Sequence, residues 1–179
     1  MVATEAPTTC WTRAQDSIIT ALSQSASFRS IVDAADATAA LAVIFGQRVT
    51  NPESGYLYTD DELKAFSYAQ VYSAPDTPYG WTNNGGGFLR HFGNAVLYID
   101  RRVTELESNS YDEPLGIERW LENRIGTTLT EVHAYLEANS GPYITGVQVT
   151  EGPATNPPDE RATIGLRQRI EILVAWGYQ

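Results

Sequence analysis

Ile164-Gly165-Leu166-Arg167-Gln168-Arg169-Ile170-Glu171-Ile172-Leu173-Val174-Ala175-Trp176-Gly177-Tyr178 is the stretch whose reading decides the fold. Counted by twos, Leu166, Ile170, Ile172, Val174 and Trp176 share one face, and only Gln168 interrupts them. Arg167, Arg169 and Glu171 fall on the other face, followed by Leu173 and Ala175. Side chains alternate across a strand, whereas a helix would scatter these residues around its circumference. The segment reads as a strand at or near the centre of a sheet. A strand cannot bury its apolar face alone, so the rest of the chain reads as its cover.

Working outward, Glu151 to Arg161 is a proline-bearing, acidic connection, and Ile144 to Thr150 is a strand before it. The main helix opens at Asp112 or Glu113 with Pro114. Its stripe is Ile117, Leu121, Ile125, Leu129, Val132 and Leu136, in helical steps, with Gly126 as a point of bending. Asn139 to Pro142 ends it. Phe88 to Val103 is the longest strand, with Leu89, Ala95, Leu97 and Ile99 on one side. Lys64 to Ala74, with Phe66, Tyr68, Val71 and Tyr72, is its antiparallel partner across the Gly-rich loop, and Pro75 stops it.

Further out, Thr59 and Glu62 form a capping-box pattern. Gln47 to Tyr58 is a connection with Asn51-Pro52 and Ser54-Gly55 turns. Ala37 to Phe45 reads as a helix burying Leu41, Ile44 and Phe45 and stopping at Gly46. Phe28, Ile31 and Val32 make a short apolar patch after a polar break at Ser23 to Ser27. Thr12 caps a first helix burying Ala14, Ile18, Ala21 and Leu22, and residues 1–10 are expected to fray. The fold class expected is α+β, an antiparallel sheet of about four strands with helices packed on one face. Residues 1–179 read as a single domain with extended loops near 75–87, 104–113 and 150–163.

A 42% hydrophobic content supports a real core in 179 residues. The net charge of -10 argues against a nucleic-acid backbone or an anionic membrane as main partner. The same acidity lets DNA slide past a surface without adhering. One cysteine, Cys10, in an N-terminus read as loose, excludes an internal disulfide framework and a multi-cysteine metal site. No apolar run is long enough to span a bilayer. Met1 to Pro7 lacks the basic start and apolar core of a signal peptide, so a soluble chain made in a cytoplasm is expected.

Gly85-Gly86-Gly87 is followed by a strand rather than a helix start and has no Gly-Lys-Ser/Thr, so it reads as a hairpin tip, not a phosphate loop. His91 and His133 have no second ligand at metal spacing, and no Gly-x-Ser-x-Gly elbow exists. The acidic groups Asp60–Glu62 and Asp112–Glu113 fit helix starts, where the dipole favours them. No catalytic, cofactor or metal site is expected, and the chain is not expected to be an enzyme. Two of the three long excursions carry Tyr79, Trp81 and Tyr111, aromatics of the kind that anchor protein–protein interfaces. A subunit whose loops order on its neighbours is the expectation; a small monomeric or dimeric enzyme or binding module with a pocket at His91 or His133 is the alternative.

The segment Leu115-Gly116-Ile117-Glu118-Arg119-Trp120-Leu121-Glu122-Asn123-Arg124-Ile125 follows the strand Asn94–Val103 and a short acidic loop. After it come a hairpin with an acidic connection and the closing strand ending Trp176-Gly177-Tyr178. In this pattern of elements and polarity, residues 64–179 resemble the tail terminator (tail-completion) proteins of long-tailed bacteriophages. The resemblance extends weakly to the helix at 12–24, and residues 27–63 and the Gly-rich loop are larger than in simpler members. It implies a hexameric ring that caps the tail tube protein, ends its polymerisation and meets the head connector or stopper protein. DNA would pass through the lumen without specific binding, and the chain would reside in the virion after assembly in the host cytoplasm. Arg101, Arg102, Arg167 and Arg169 are then candidates for contacts between acidic subunits. Another neck or head-completion subunit of the virion is the nearest alternative.

Overall fold

The computed structural model describes residues 10–63, 65–73, 80–83, 89–102, 116–139, 146–155 and 167–178. The first helix, α1, spans Cys10–Gln24 and buries Ala14, Ile18, Ala21 and Leu22, the positions its periodicity assigns to one face. It starts before the expected cap at Thr12, because half-buried Trp11 already packs on the core. Cys10 is therefore the first residue of a helix, not part of a loose end.

The polar break is real and one residue wide. Ser25 leaves α1 and caps α2 (Ala26–Ile31), its hydroxyl accepting from the Phe28 amide at 3.0 Å. At the other end Asp33 adopts φ 55, a left-handed conformation that a short polar side chain tolerates, and Ala34 N–H reaches back to the Arg29 carbonyl. Asp36 then caps α3 (Ala37–Leu41) through the Ala39 amide at 2.8 Å.

The helix expected to run to Phe45 stops at Leu41. Ile44–Phe45 instead forms β1, paired parallel with β2 (Tyr68–Ser73), and the Ala69 amide donates to the Val43 carbonyl at 2.9 Å. β-Branched and aromatic residues at 43–45 lose more in a helix than they do in a strand. With the helix cut short, Ala40 takes the buried position and Leu41 is 44% exposed, against the expectation that it is buried. Between β1 and β2 the capping-box pattern opens a single turn, α4 (Asp60–Leu63).

The remaining strands are β3 (Gly80–Asn83), β4 (Leu89–Arg102), β5 (Gly146–Thr155) and β6 (Arg167–Tyr178). The sheet runs β1-β2-β4-β6-β5, with β3 pairing the far end of β4 beside β2. The α+β class stands, but the sheet is mixed rather than antiparallel, since β1 joins in parallel. The strands whose side chains are described, in β1, β2 and most of β4, already form a mixed three-stranded unit. Backbone pairing with β3, β6 and β5 carries the count to six, above the expected number. β6 lies inside the sheet, in register with β4 from Arg102↔Arg167 to His91↔Tyr178. Two expected loops are partly strand: β3 lies within 75–87, and β5, with its register shifts, reaches Thr155 within 150–163. The 104–113 excursion lies outside the described residues.

The core sits on one face of this sheet. Ala69 and Val71 of β2 and Ala95, Leu97 and Ile99 of β4 meet residues of α1, α2, α3 and α5 (Gly116–Asn139). Register sets Ile170 opposite Ile99, Ile172 opposite Leu97 and Val174 opposite Ala95. From α5 come Ile125, Val132 and Leu136, with Leu129 at the margin. Thr128 is also buried, its hydroxyl satisfied by the Arg124 carbonyl at 2.8 Å. Gly126 is exposed, and a Cβ there would meet nothing within 4 Å. Gln15 fastens α1 to the sheet, its Nε2 donating to the Val71 carbonyl at 2.6 Å.

Glu131 fastens α5 to the α1–α2 break. Its carboxylate accepts from the Ser25 hydroxyl at 2.6 Å and from the Ser27 amide and hydroxyl at 3.1 Å each. Burial alone pushes this carboxyl up, but the Ser25 and Ser27 hydrogen bonds outweigh it and hold it below the ordinary carboxylate range.

Candidate functional site

The other face of β2 and β4 is aromatic. Tyr68 and Tyr98 contact each other, Tyr68 meets Phe45 and Phe66, and Tyr58 meets both Phe45 and Phe66. Ring centroids lie 5.3–6.4 Å apart, mostly edge-on, the separation at which ring quadrupoles attract. Gln70, on this same face, donates from Nε2 to the Gly46 and Gln47 carbonyls at 3.2 Å, fixing the chain as it leaves β1. The capping box at 59–62 fixes it on the return. Thr59 N–H donates to Glu62 Oε2 at 2.8 Å, and Glu62 N–H donates to Thr59 Oγ1 at 3.3 Å. These bonds to Thr59, backbone first, hold the Glu62 carboxyl below its ordinary range.

Between these two clamps, residues 49–58 fold back on themselves. Tyr58 N–H donates to the Val49 carbonyl, Thr50 bridges Leu57, and Asn51 N–H donates to the Tyr56 carbonyl at 2.8 Å. The turn is closed by Gly55, whose φ of +71 suits a residue without Cβ, and by Asn51 Oδ1, which accepts from the Glu53 amide at 2.9 Å. The tip is thus ordered by its own backbone. It holds Tyr56 78% exposed and Leu57 60% exposed, side by side. Leaving a leucine in water forgoes about 1.5–3 kcal/mol that burial would supply.

A shallow cleft of 180 Å³ opens between α1 and α5, lined by Asp16, Ser17, Thr20, Tyr135, Leu136 and Asn139. Two of its donors are spent locally: Thr20 Oγ1 donates to the Asp16 carbonyl at 2.7 Å, and Asn139 Nδ2 donates to the Tyr135 carbonyl at 2.9 Å. The other polar lining residues are Asp16, an acceptor when ionised, and Ser17 and Tyr135, whose hydroxyls both donate and accept.

His133 is half exposed, 3.6 Å from Glu137 one turn on, which is ordinary helix-surface pairing. His91 stands in β4 in register with Trp81 and Tyr178. Among the described residues no group of three or more His, Cys, Asp or Glu could hold a metal ion. No described helix is long and apolar enough to cross a membrane.

The expected interface residues are divided. Arg102, Arg167, Arg101 and Arg169 gather at one end of the β4–β6 ladder, where Arg102 pairs in register with Arg167 and Asp100 with Arg169. Arg102 is exposed, its guanidinium donating to the Ala65 carbonyl at 3.0 Å. Arg101 is 2% exposed, inside the fold. Trp81 lies on β3 toward the opposite end of the ladder, so the expected loop position is a strand position. Tyr79 and Tyr111 lie outside the described residues. Sequence reasoning locates the turns at 51–55 but not the exposure of Tyr56 and Leu57; the alternation of Tyr56, Leu57 and Tyr58 beside a turn is the available signal. No family model matches this sequence, and no curated protein matches it either.

Proposed function

We propose that this chain is a structural subunit of a long-tailed bacteriophage virion, a tail terminator that assembles as a ring at the head-proximal end of the tail tube. The observation carrying this reading is the ordered 49–58 hairpin, which holds Tyr56 and Leu57 in water at the end of an aromatic root. Adjacent apolar groups on a rigid projection are what an assembling subunit offers to a neighbour. The resemblance of residues 64–179 to terminator proteins supplies the kind of assembly, its partners being the tube protein below and the head connector above. A net charge of -10 is compatible with DNA passing through the lumen. Arg102, with Arg167 and Arg169 at the same end of the ladder, is a proposed contact between acidic subunits.

The test is electron microscopy of particles made without this chain. Tails of irregular length are expected. Tails of uniform length that fail to join heads would assign the chain to a neck connector instead, and unchanged particles would remove it from the virion altogether.

A further inference from the structure

We propose that the Tyr56–Leu57 tip of one subunit docks in the α1–α5 cleft of the next, which makes the contact heterologous. The proposal rests on the ring reading above and names the surfaces that would join its subunits. Tip and cleft belong to different sides of the fold: the tip is rooted in the aromatic face of β2 and β4, and the cleft lies in the helix layer. Tyr56 is 78% exposed, so it does not occupy its own subunit's cleft. A cleft of 180 Å³ suits one aromatic side chain, with Tyr135 and Leu136 as apolar walls. Its lining is otherwise polar, and a tyrosine hydroxyl on an apolar ring can meet either a donor or an acceptor there.

Charge favours the same pairing. Residues 47–58 carry one cation, Arg48 at the base, and one anion, Glu53 at the turn. The cleft has Asp16 in its lining, with Arg13 one turn before it on α1. Acidic subunits repel one another at long range, and exposed Arg48 meeting Asp16 offsets that locally. A knob and a hole on different sides of one chain repeat from subunit to subunit, and a suitable rotation closes them into a ring.

Sedimentation of the full chain tests this with Tyr56→Ala, which removes the knob, and Thr20→Trp, which fills the hole. Each is expected to weaken association roughly tenfold or more while leaving the circular dichroism spectrum unchanged. Mixed together, the two variants retain one good tip and one good cleft and should stop at a species of two subunits. As a second measurement, Tyr56→Cys and Asn139→Cys on separate chains, both with Cys10→Ser, should cross-link on oxidation. Assembly that ignores both substitutions, or an absent cross-link, overturns the docking. Irregular tails in particles lacking the chain would, in that event, leave the terminator reading standing; normal particles would end both.

Discussion

The two faces of the β2–β4 pair are made from different side chains and do different things. Odd-numbered positions, Ala69, Val71, Ala95, Leu97 and Ile99, are aliphatic and at most 2% exposed, sealed under helices. Even-numbered positions bring Tyr68, Gln70 and Tyr98, whose rings and amide reach sideways to Phe45, Phe66 and the 46–47 backbone. Aliphatic groups gain from close packing in any direction, so they suit a closed core. Rings with hydroxyl tips can be apolar in body and wet at the end, so they suit a root for a projecting hairpin. One face closes the core, and the other holds a hairpin out from it.

Breaking the sealed side should give the largest effect. Phe28→Ala, at a fully buried ring in the core that α1, α5 and the sheet share, is expected to cost about 3–5 kcal/mol in urea unfolding. Phe45→Ala removes two ring contacts from the half-buried root and should cost about 2 kcal/mol. The sharper sign is local: amide exchange at Asn51, Gly55 and Tyr58 should quicken far more than in α1, because the hairpin loses its foundation.

Glu131→Gln weakens the tie between α5 and the α1–α2 break and should cost roughly 1 kcal/mol at neutral pH. Because the folded carboxyl is held below its unfolded value, its contribution is complete above the ordinary carboxylate range and is lost as pH falls through the folded value. The stability gap between wild type and Glu131→Gln should therefore narrow as pH falls below the ordinary carboxylate range. Tyr56→Ser should change stability by no more than about 0.5 kcal/mol, since that side chain is mostly in water in the free subunit. A large loss there would mean that the tip is part of the subunit's own core, and the contrast between the faces would collapse.

Legibility in the sequence follows the range of the interaction. The capping box at Thr59 and Glu62 and the stripe Ile125, Val132 and Leu136 depend on neighbours one turn away, and they are plain. The apolar alternation of β6 is equally plain, and its register against β4 agrees with it. Thr128 is invisible, because a hydrophobic pattern cannot see a hydroxyl that the backbone satisfies. The switch from α3 to β1 escapes a local reading because it is decided by pairing with Ala69 and Gln70, some twenty-five residues along. β3 reads as loop for the same reason: four residues find their partner only once β4 runs past the end of β2. Exposure of Tyr56 and Leu57 is likewise settled by everything that fails to cover them, and the run of Tyr56, Leu57 and Tyr58 beside a turn is only a faint local sign of it.

The bond from Gln15 to the Val71 carbonyl has a consequence beyond fastening a helix. β1, the edge strand, is only two residues long, so it shields little of β2, and an uncovered carbonyl just past it would be an invitation to stray chains. A side-chain amide fills that vacancy without offering a new strand to extend. This small stopper discourages edge-to-edge zippering of copies into fibres.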